Sequence, residues 1–148
     1  MNKIKGVTED DIEEIAKLEA DCFSDPWSQK GIWDAYNGDF YLMYKIEENE
    51  KIAGYIIGRY IVDEGELLRV AVNPKARQVG LGQALVQILQ NEMRVRGIRD
   101  IFLEVRESNE NAIRLYEKMR FEYIGKRKNY YQHPTEDAVL MKWKEKIC

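Results

Sequence analysis

Apolar positions along this chain repeat with two different periods. Ile12, Ile15, Ala16 and Leu18 fall at helical spacing behind Thr8-Glu9-Asp10-Asp11, a segment that resembles a capping box. This predicts a first helix running to about Phe23 and broken by Asp25-Pro26-Trp27. Ser28 can cap a short second helix carrying Ile32, Trp33 and Tyr36. The pattern then becomes that of strands. Phe40 to Ile46 and Ile52 to Val62 flank the polar turn Glu48-Asn49-Glu50, which predicts a hairpin. Asp63-Glu64-Gly65 turns the chain into a third strand, Glu66 to Val72. Leu81, Ala84, Leu85, Ile88, Leu89 and Met93 mark a long helix that ends near Gly97. Ile101 to Val105 is a short apolar strand, and Ser108 is placed to cap a helix bearing Ala112, Leu115, Tyr116 and Met119 on one face. The tail alternates like two more strands, Phe121 to Tyr130 and Ala138 to Trp143.

The strand, loop, helix and strand between Glu66 and Val105 predict a crossover joining parallel neighbours, while the flanking hairpins predict antiparallel pairing. The fold class expected is therefore α+β with a mixed central sheet. No repeat, low-complexity tract or linker-like shift in composition interrupts the 148 residues, so residues 1–148 are read as one domain. The net charge of −3 argues against a nucleic-acid partner, which usually meets a basic excess. Met1-Asn2-Lys3-Ile4-Lys5-Gly6 lacks a signal-peptide core, and no apolar run reaches membrane-spanning length. Cys22 and Cys148 lie far apart, which fits a reduced cytoplasmic setting better than a disulfide scaffold.

Chemistry enters with the segment Val70-Ala71-Val72-Asn73-Pro74-Lys75-Ala76-Arg77-Gln78-Val79-Gly80-Leu81-Gly82-Gln83. A strand runs into a basic, glycine-punctuated loop that opens directly into a helix. Backbone N–H groups at such a start have no intrahelical acceptor and lie at the positive end of the helix dipole, which suits a pyrophosphate. Glycine lets the backbone approach phosphates without a Cβ in the way. The spacing is neither the Walker A pattern nor the dinucleotide fingerprint. Two glycines alone do not separate a phosphate site from an ordinary helix start.

His133 is the only histidine, so neither a His-based zinc site nor a Ser-His-Asp triad can be assembled, and neither cysteine has a plausible histidine partner. No metal is expected. Glu104 stands late in Ile101-Phe102-Leu103-Glu104-Val105, where alternation places it on the face opposite Leu103 and Val105. It reads either as the partner of Arg106 or another surface cation, or as a general base working through water. Tyr116, on the apolar face of its helix, reads either as core or as a proton donor. Asn109 can simply cap that helix. Trp27, Tyr130 and Tyr131 are either core and rim aromatics or the lining of a groove.

Several segments together resemble the GNAT superfamily of N-acetyltransferases. Arg77-x-x-Gly80-x-Gly82 matches its Arg/Gln-x-x-Gly-x-Gly/Ala acetyl-CoA loop. Leu103-Glu104-Val105-Arg106-x-Ser108-Asn109-x-x-Ala112-x-x-Leu115-Tyr116 matches further along. With Phe23-x-x-Pro26-Trp27-Ser28, Asn129-Tyr130-Tyr131 and Glu136-Asp137-Ala138, these resemble the RimI-type ribosomal-protein-alanine N-acetyltransferases. The resemblance spans nearly the whole chain, in order. It implies antiparallel N-terminal strands and a βαβ unit binding acetyl-CoA as cosubstrate, with direct transfer in a ternary complex and no enzyme nucleophile. It further implies that the backbone of Val70, Ala71 and Val72 holds the acetyl-pantetheine arm, the Val72 N–H polarising the thioester. Gln78, Val79, Gly80, Leu81, Gly82 and Gln83 would cradle the pyrophosphate, and Asn109 would touch the cosubstrate further along. Glu104 would take the amine proton, Tyr116 would protonate the departing thiolate, and Trp27, Tyr130 and Tyr131 would line the acceptor groove.

The implied acceptor is the N-terminal alanine of ribosomal protein S18, met in the cytoplasm by a monomer or weak dimer. An α-amine has a pKa of about 7.7–8.0 against about 10.4 for lysine, so its deprotonation near neutrality is easier by about 3 kcal/mol. A small-molecule amine such as a polyamine or aminoglycoside is the alternative acceptor, and a non-catalytic CoA-binding module the alternative class. Two positions depart from the pattern. Ala76 stands where relatives often carry an aromatic, and Arg120 stands where Leu-Tyr-x-x-x-Gly-Phe has glycine. Arginine in the left-handed conformation that ends a helix should cost about 1 kcal/mol and strain the helix end next to Tyr116.

Overall fold

The computed structural model describes residues 3–76 and 80–145. A 3-10 turn at Glu9–Asp11 leads into α1 (Ile12–Cys22), in which the Asp11 carboxylate accepts from the Thr8 backbone N–H at 2.7 Å, the reciprocal half of the expected box. Pro26 ends this segment and Ser28 starts α2 (Gln29–Tyr36), its Oγ accepting from the Gly31 N–H at 3.0 Å. Strands β2 (Tyr41–Glu48) and β3 (Lys51–Ile61) form the expected hairpin. Its two-residue loop puts both Asn49 and Glu50 at positive φ, 54° and 64°, the geometry whose twist matches that of the flanking strands. A second tight loop, Val62-Asp63, leads to β4 (Glu64–Val72), so the strand begins two residues before the expected Glu66.

Helix α3 (Leu81–Val95) and strand β5 (Asp100–Arg106) complete the crossover, followed by α4 (Glu110–Lys118), β6 (Glu122–Tyr131) and β7 (Glu136–Lys144). Asn109 rather than Ser108 caps α4, its Oδ1 accepting from the Ala112 N–H at 3.2 Å. One short edge strand escapes the hydrophobic pattern: β1 (Lys3–Gly6) pairs with β2 from Lys3↔Glu47 to Gly6↔Tyr44.

The seven strands form one mixed sheet in the order β1-β2-β3-β4-β5-β7-β6. Only β4 and β5 are parallel, as the crossover requires. Each face carries a core. Leu85, Leu89 and Met93 of α3 and Tyr116 of α4 pack on Leu67, Ile101, Leu103 and Met141. Ile12, Ile15 and Leu18 of α1 and Ile32 of α2 pack on Tyr55, Ile57 and Ala71. Full burial of each large aliphatic side chain contributes about 1.5–3 kcal/mol, so two such layers stabilise the sheet from both faces.

The expected strain at the end of α4 is present and local. Arg120 adopts φ 71°, and the Arg120 N–H donates to Glu117 O at 3.0 Å while the Phe121 N–H donates to Tyr116 O at 2.9 Å. These two bonds are the Schellman closure. The rings of Tyr116 and Phe121 stack 5.7 Å apart across it, and Tyr116 stays buried in the core. The arginine is accommodated in its own backbone rather than by moving the tyrosine.

Candidate active site

The parallel pair at the centre of the sheet comes apart. β4 and β5 are in register only at Glu64↔Asp100, Gly65↔Ile101 and Glu66↔Phe102, yet β4 continues to Val72 and β5 to Arg106. The orientation of the freed backbone follows from strand alternation. The Asn73 N–H donates to Ala53 O at 2.7 Å, on the β3 side, so Val72 and Val70 turn their N–H and C=O groups the other way, into the gap. The Glu107 N–H donates to Asp137 O at 3.1 Å, so Glu104 and Arg106 turn theirs into the gap from the opposite lip. The Val72 carbonyl accepts from Cys22 Sγ at 3.8 Å and the Arg106 carbonyl from the Asn109 N–H at 2.9 Å, so it is chiefly the N–H groups of the two lips that face the gap, where an extended, hydrogen-bonding chain can be received in the manner of strand addition.

At the wide end of the wedge stands the N-terminus of α3. Gly80 is its N-cap at φ 93°, a left-handed conformation that disfavours any Cβ. The first intrahelical bond described runs from the Ala84 N–H to Gly80 O at 2.9 Å, which leaves the N–H groups of Leu81, Gly82 and Gln83 without an intrahelical acceptor. No acidic residue occupies this first turn. Gly82 has a packing role that the sequence did not reveal: a Cβ there would come 3.1 Å from Leu115 Cδ2, so the glycine sets α3 close to α4. Gln78 and Val79, expected in the phosphate cradle, lie outside the described residues, as does Arg77.

On the face of the sheet that carries α1 and α2, a cavity of about 600 Å³ opens beside the wedge, lined among others by Leu68, Arg69, Phe102, Glu104, Tyr130 and Tyr131. Glu104 is exposed on this face while Leu103 and Val105 are buried on the other, as alternation predicted. The pairing with Arg106 that offered the plainer explanation of Glu104 is not formed; the Arg106 guanidinium pairs with Asp25 and Glu136 instead. Glu104 instead acts on the tyrosines. By accepting from the neutral Tyr130 hydroxyl it raises that phenol, burial adding to the effect. Tyr131 is pushed up to about 12, first by burial and then by the Glu104 charge. Burial drives Tyr116 well above the ordinary tyrosine range, with the neighbouring Tyr131 adding to the shift. Tyr116 and Tyr131 therefore keep their protons at neutral pH. Asn109 is accounted for as the cap of α4.

Trp27, expected to line the groove, is half-buried and is not among the residues that line this cavity; it reaches the cavity through Arg69, and is held by residues without a signal of their own in the motifs. Glu19 is fully buried on α1. Its carboxylate accepts from the Trp27 backbone N–H at 2.8 Å, from Arg69 Nε at 2.8 Å, and from the Tyr55 hydroxyl. The Arg69 guanidinium lies 3.9 Å from the centre of the Phe23 ring and 5.6 Å from that of Trp27. A signal for Glu19 was available, since it falls on the buried stripe of Ile12, Ile15 and Leu18. Among the described residues no cluster of His, Cys, Asp and Glu could hold a metal ion, and no helix is long and apolar enough to cross a membrane.

Comparisons with known proteins place the family and the fold. Residues 12–121 match the model of the acetyltransferase (GNAT) family. The chain is 37% identical over 145 residues to the [ribosomal protein bS18]-alanine N-acetyltransferase of Escherichia coli strain K12, covering 95% of this chain and 96% of that one. The crystal structure of the ribosomal-protein-S18-alanine N-acetyltransferase from Escherichia coli superposes with a TM-score of 0.90 at 34% identity, over 100% of this chain and 96% of that one. The crystal structure of Arabidopsis thaliana NAA60 in complex with acetyl-CoA shares the fold, with a TM-score of 0.86 at 17% identity over 97% of this chain and 98% of that one.

Proposed function

The chain belongs to the acetyltransferase (GNAT) family and is an N-acetyltransferase, and we propose that it acetylates the N-terminal alanine of ribosomal protein bS18 with acetyl-CoA. The geometry that carries this reading is the wedge between β4 and β5, which has main-chain donors on both lips and Glu104 at its edge. The acyl arm of acetyl-CoA enters the wedge as an added strand along Val70, Ala71 and Val72. The outward Val72 N–H meets the thioester oxygen, where negative charge develops. The pyrophosphate sits on the N–H groups of Leu81, Gly82 and Gln83, with Gln78, Val79 and Gly80 completing the cradle and Asn109 touching the cosubstrate further along.

The acceptor amine approaches from the cavity lined by Tyr130 and Tyr131, with Trp27 at its side. Glu104 takes its proton through water, the new N–C bond forms, and the C–S bond breaks. Tyr116 then supplies a proton to the departing sulfur. Burial raises this phenol, so it stands protonated when the thiolate departs. A ribosomal acceptor also sets this work in the cytoplasm.

Thiol release from acetyl-CoA tests the reading with peptides that begin with alanine, the same peptides blocked at the N-terminus, and a panel of polyamines and aminoglycosides. A mass gain of one acetyl group on the free N-terminus alone is the expected result. Turnover on small amines without turnover on the peptides would overturn the acceptor and leave the fold and cosubstrate standing.

A further inference from the structure

Three segments meet behind Arg69 and Tyr131, two residues that line the acceptor cavity: the stretch between α1 and α2, the turn between β6 and β7, and the turn between β5 and α4. One side chain joins all three. Arg106 stands at the end of β5, on the same face as Glu104, with 19% of its side chain exposed. Its Nη2 donates to Asp25 Oδ2 at 2.9 Å and to Gln132 O at 2.7 Å. Its Nη1 donates to Pro134 O at 2.9 Å and to Glu136 Oε1 at 3.1 Å. The guanidinium also lies 4.7 Å from the centre of the Tyr131 ring. The other oxygen of Glu136 accepts from the Ser108 N–H at 2.6 Å, which carries the connection to the turn that starts α4, the helix of Tyr116. Bonding to Ser108 and Arg106 holds the Glu136 carboxyl below its usual range, so it stays charged.

Asp25 completes the arrangement. Its carboxylate meets Arg106 of β5, and its backbone carbonyl accepts from Arg69 Nη2 of β4 at 3.1 Å. Those are the two strands that have parted. One residue of the α1–α2 segment thus spans the mouth of the wedge and is fastened on both sides by guanidinium groups. A planar fork with donors in several directions is needed for four acceptors on two segments; an ammonium at the end of a flexible stem cannot satisfy them together.

We propose that Arg106 is a positioning residue for the acceptor: by clamping Asp25 to the β6–β7 turn across the parted strands it fixes the width of the groove that holds the peptide against Glu104 and Tyr131. This inference rests on the reading of that groove as the site of a peptide N-terminus. Arg106 touches neither the sulfur nor the amine. Its loss should therefore appear in acceptor binding and spare the proposed cosubstrate contacts, which lie along Val70 to Val72 of β4 and at the start of α3.

The test uses the full chain, the alanine-initiated peptide and acetyl-CoA. Arg106→Lys and Asp25→Asn are compared with the parent in peptide KM, in kcat at saturating peptide, and in acetyl-CoA Kd by calorimetry. Because misplacement by about 1 Å costs up to about 100-fold, Arg106→Lys should raise peptide KM by about tenfold or more, with acetyl-CoA Kd changed by less than about twofold. Asp25→Asn, which weakens a single bond of the clamp at a half-exposed side chain, should raise KM by about threefold. The double variant should be no worse than Arg106→Lys alone, since both act through one contact. Should Arg106→Lys fail to fold, the rise in KM for Asp25→Asn decides the matter. Unchanged peptide KM in the folded variants overturns the clamp, and so does a loss of acetyl-CoA affinity in step with KM. Failure of the parent itself on the peptide overturns the acceptor reading, and this inference with it.

Discussion

Replacing Arg120 by glycine should stabilise this protein, and the size of the gain can be worked out from the helix end. Arg120 holds φ 71° at the position of the Schellman closure where a Cβ crowds the backbone. Left-handed backbone costs a residue with a Cβ about 1–2 kcal/mol. Glycine returns part of that through the extra freedom of its unfolded chain, about 0.4–1 kcal/mol. The difference leaves a gain of about 0.8 kcal/mol. Arg120 is exposed, and a cation at a helix C-terminus contributes about 0.3–1 kcal/mol by itself, so Arg120→Gly must be read against Arg120→Ala, which loses the same charge but keeps the Cβ. In urea melts the glycine variant should exceed the alanine variant by about 0.8 kcal/mol, and its Tm should be higher by about 2–3 °C. The transferase kcat should not move, because Tyr116 is already seated by its bond from Phe121 and its packing on that ring. Equal stability of the glycine and alanine variants would refute the strain argument. A changed kcat would show that Arg120 bears on Tyr116 after all.

The site makes four further predictions. Glu104→Gln should lower kcat on the alanine peptide by about 100-fold with acetyl-CoA affinity intact, and the deficit should shrink at high pH as the amine loses its proton unaided. The raised pKa of Tyr116 keeps its neutral form to higher pH than an ordinary phenol, so kcat/KM should climb as the acceptor deprotonates near pH 8 and show no descending limb below about pH 10; a descending limb at pH 9 that Tyr116→Phe abolishes would contradict this. Gly80→Ala should cost about 1 kcal/mol in urea melts, because φ 93° is left-handed, and should weaken acetyl-CoA binding measured by calorimetry. Glu19→Ala leaves the Arg69 guanidinium, only 17% exposed, without a counter-charge and with the Asp25 carbonyl as its remaining acceptor, and should destabilise by about 3 kcal/mol in the same melts.

What the sequence conveyed and what it withheld divide along physical lines. Elements whose apolar positions recur locally, such as α1, α3 and the β2–β3 hairpin, were legible to within two or three residues because burial on one face is written at fixed spacing. β1 was not, since Lys3-Ile4-Lys5-Gly6 offers a single large apolar residue and gains its strand only by pairing with β2. The cap of α4 is Asn109 and not Ser108: Asn109 Oδ1 accepts from the Ala112 N–H, while the Ser108 N–H is held by Glu136, a partner 28 positions away that no local pattern announces. The placement of Glu104 and Tyr116 was legible through alternation and helix face, but the fate of Arg106 was not. A neighbour two positions from Glu104 looks like its natural partner, and strand alternation does put both side chains on one face. The guanidinium nevertheless turns to Asp25, which is 81 positions distant, and to the β6–β7 turn. Those acceptors lie on segments that meet across the separated ends of β4 and β5, so the pairing that draws Arg106 away from Glu104 is a property of the wedge and not of the strand that carries both residues.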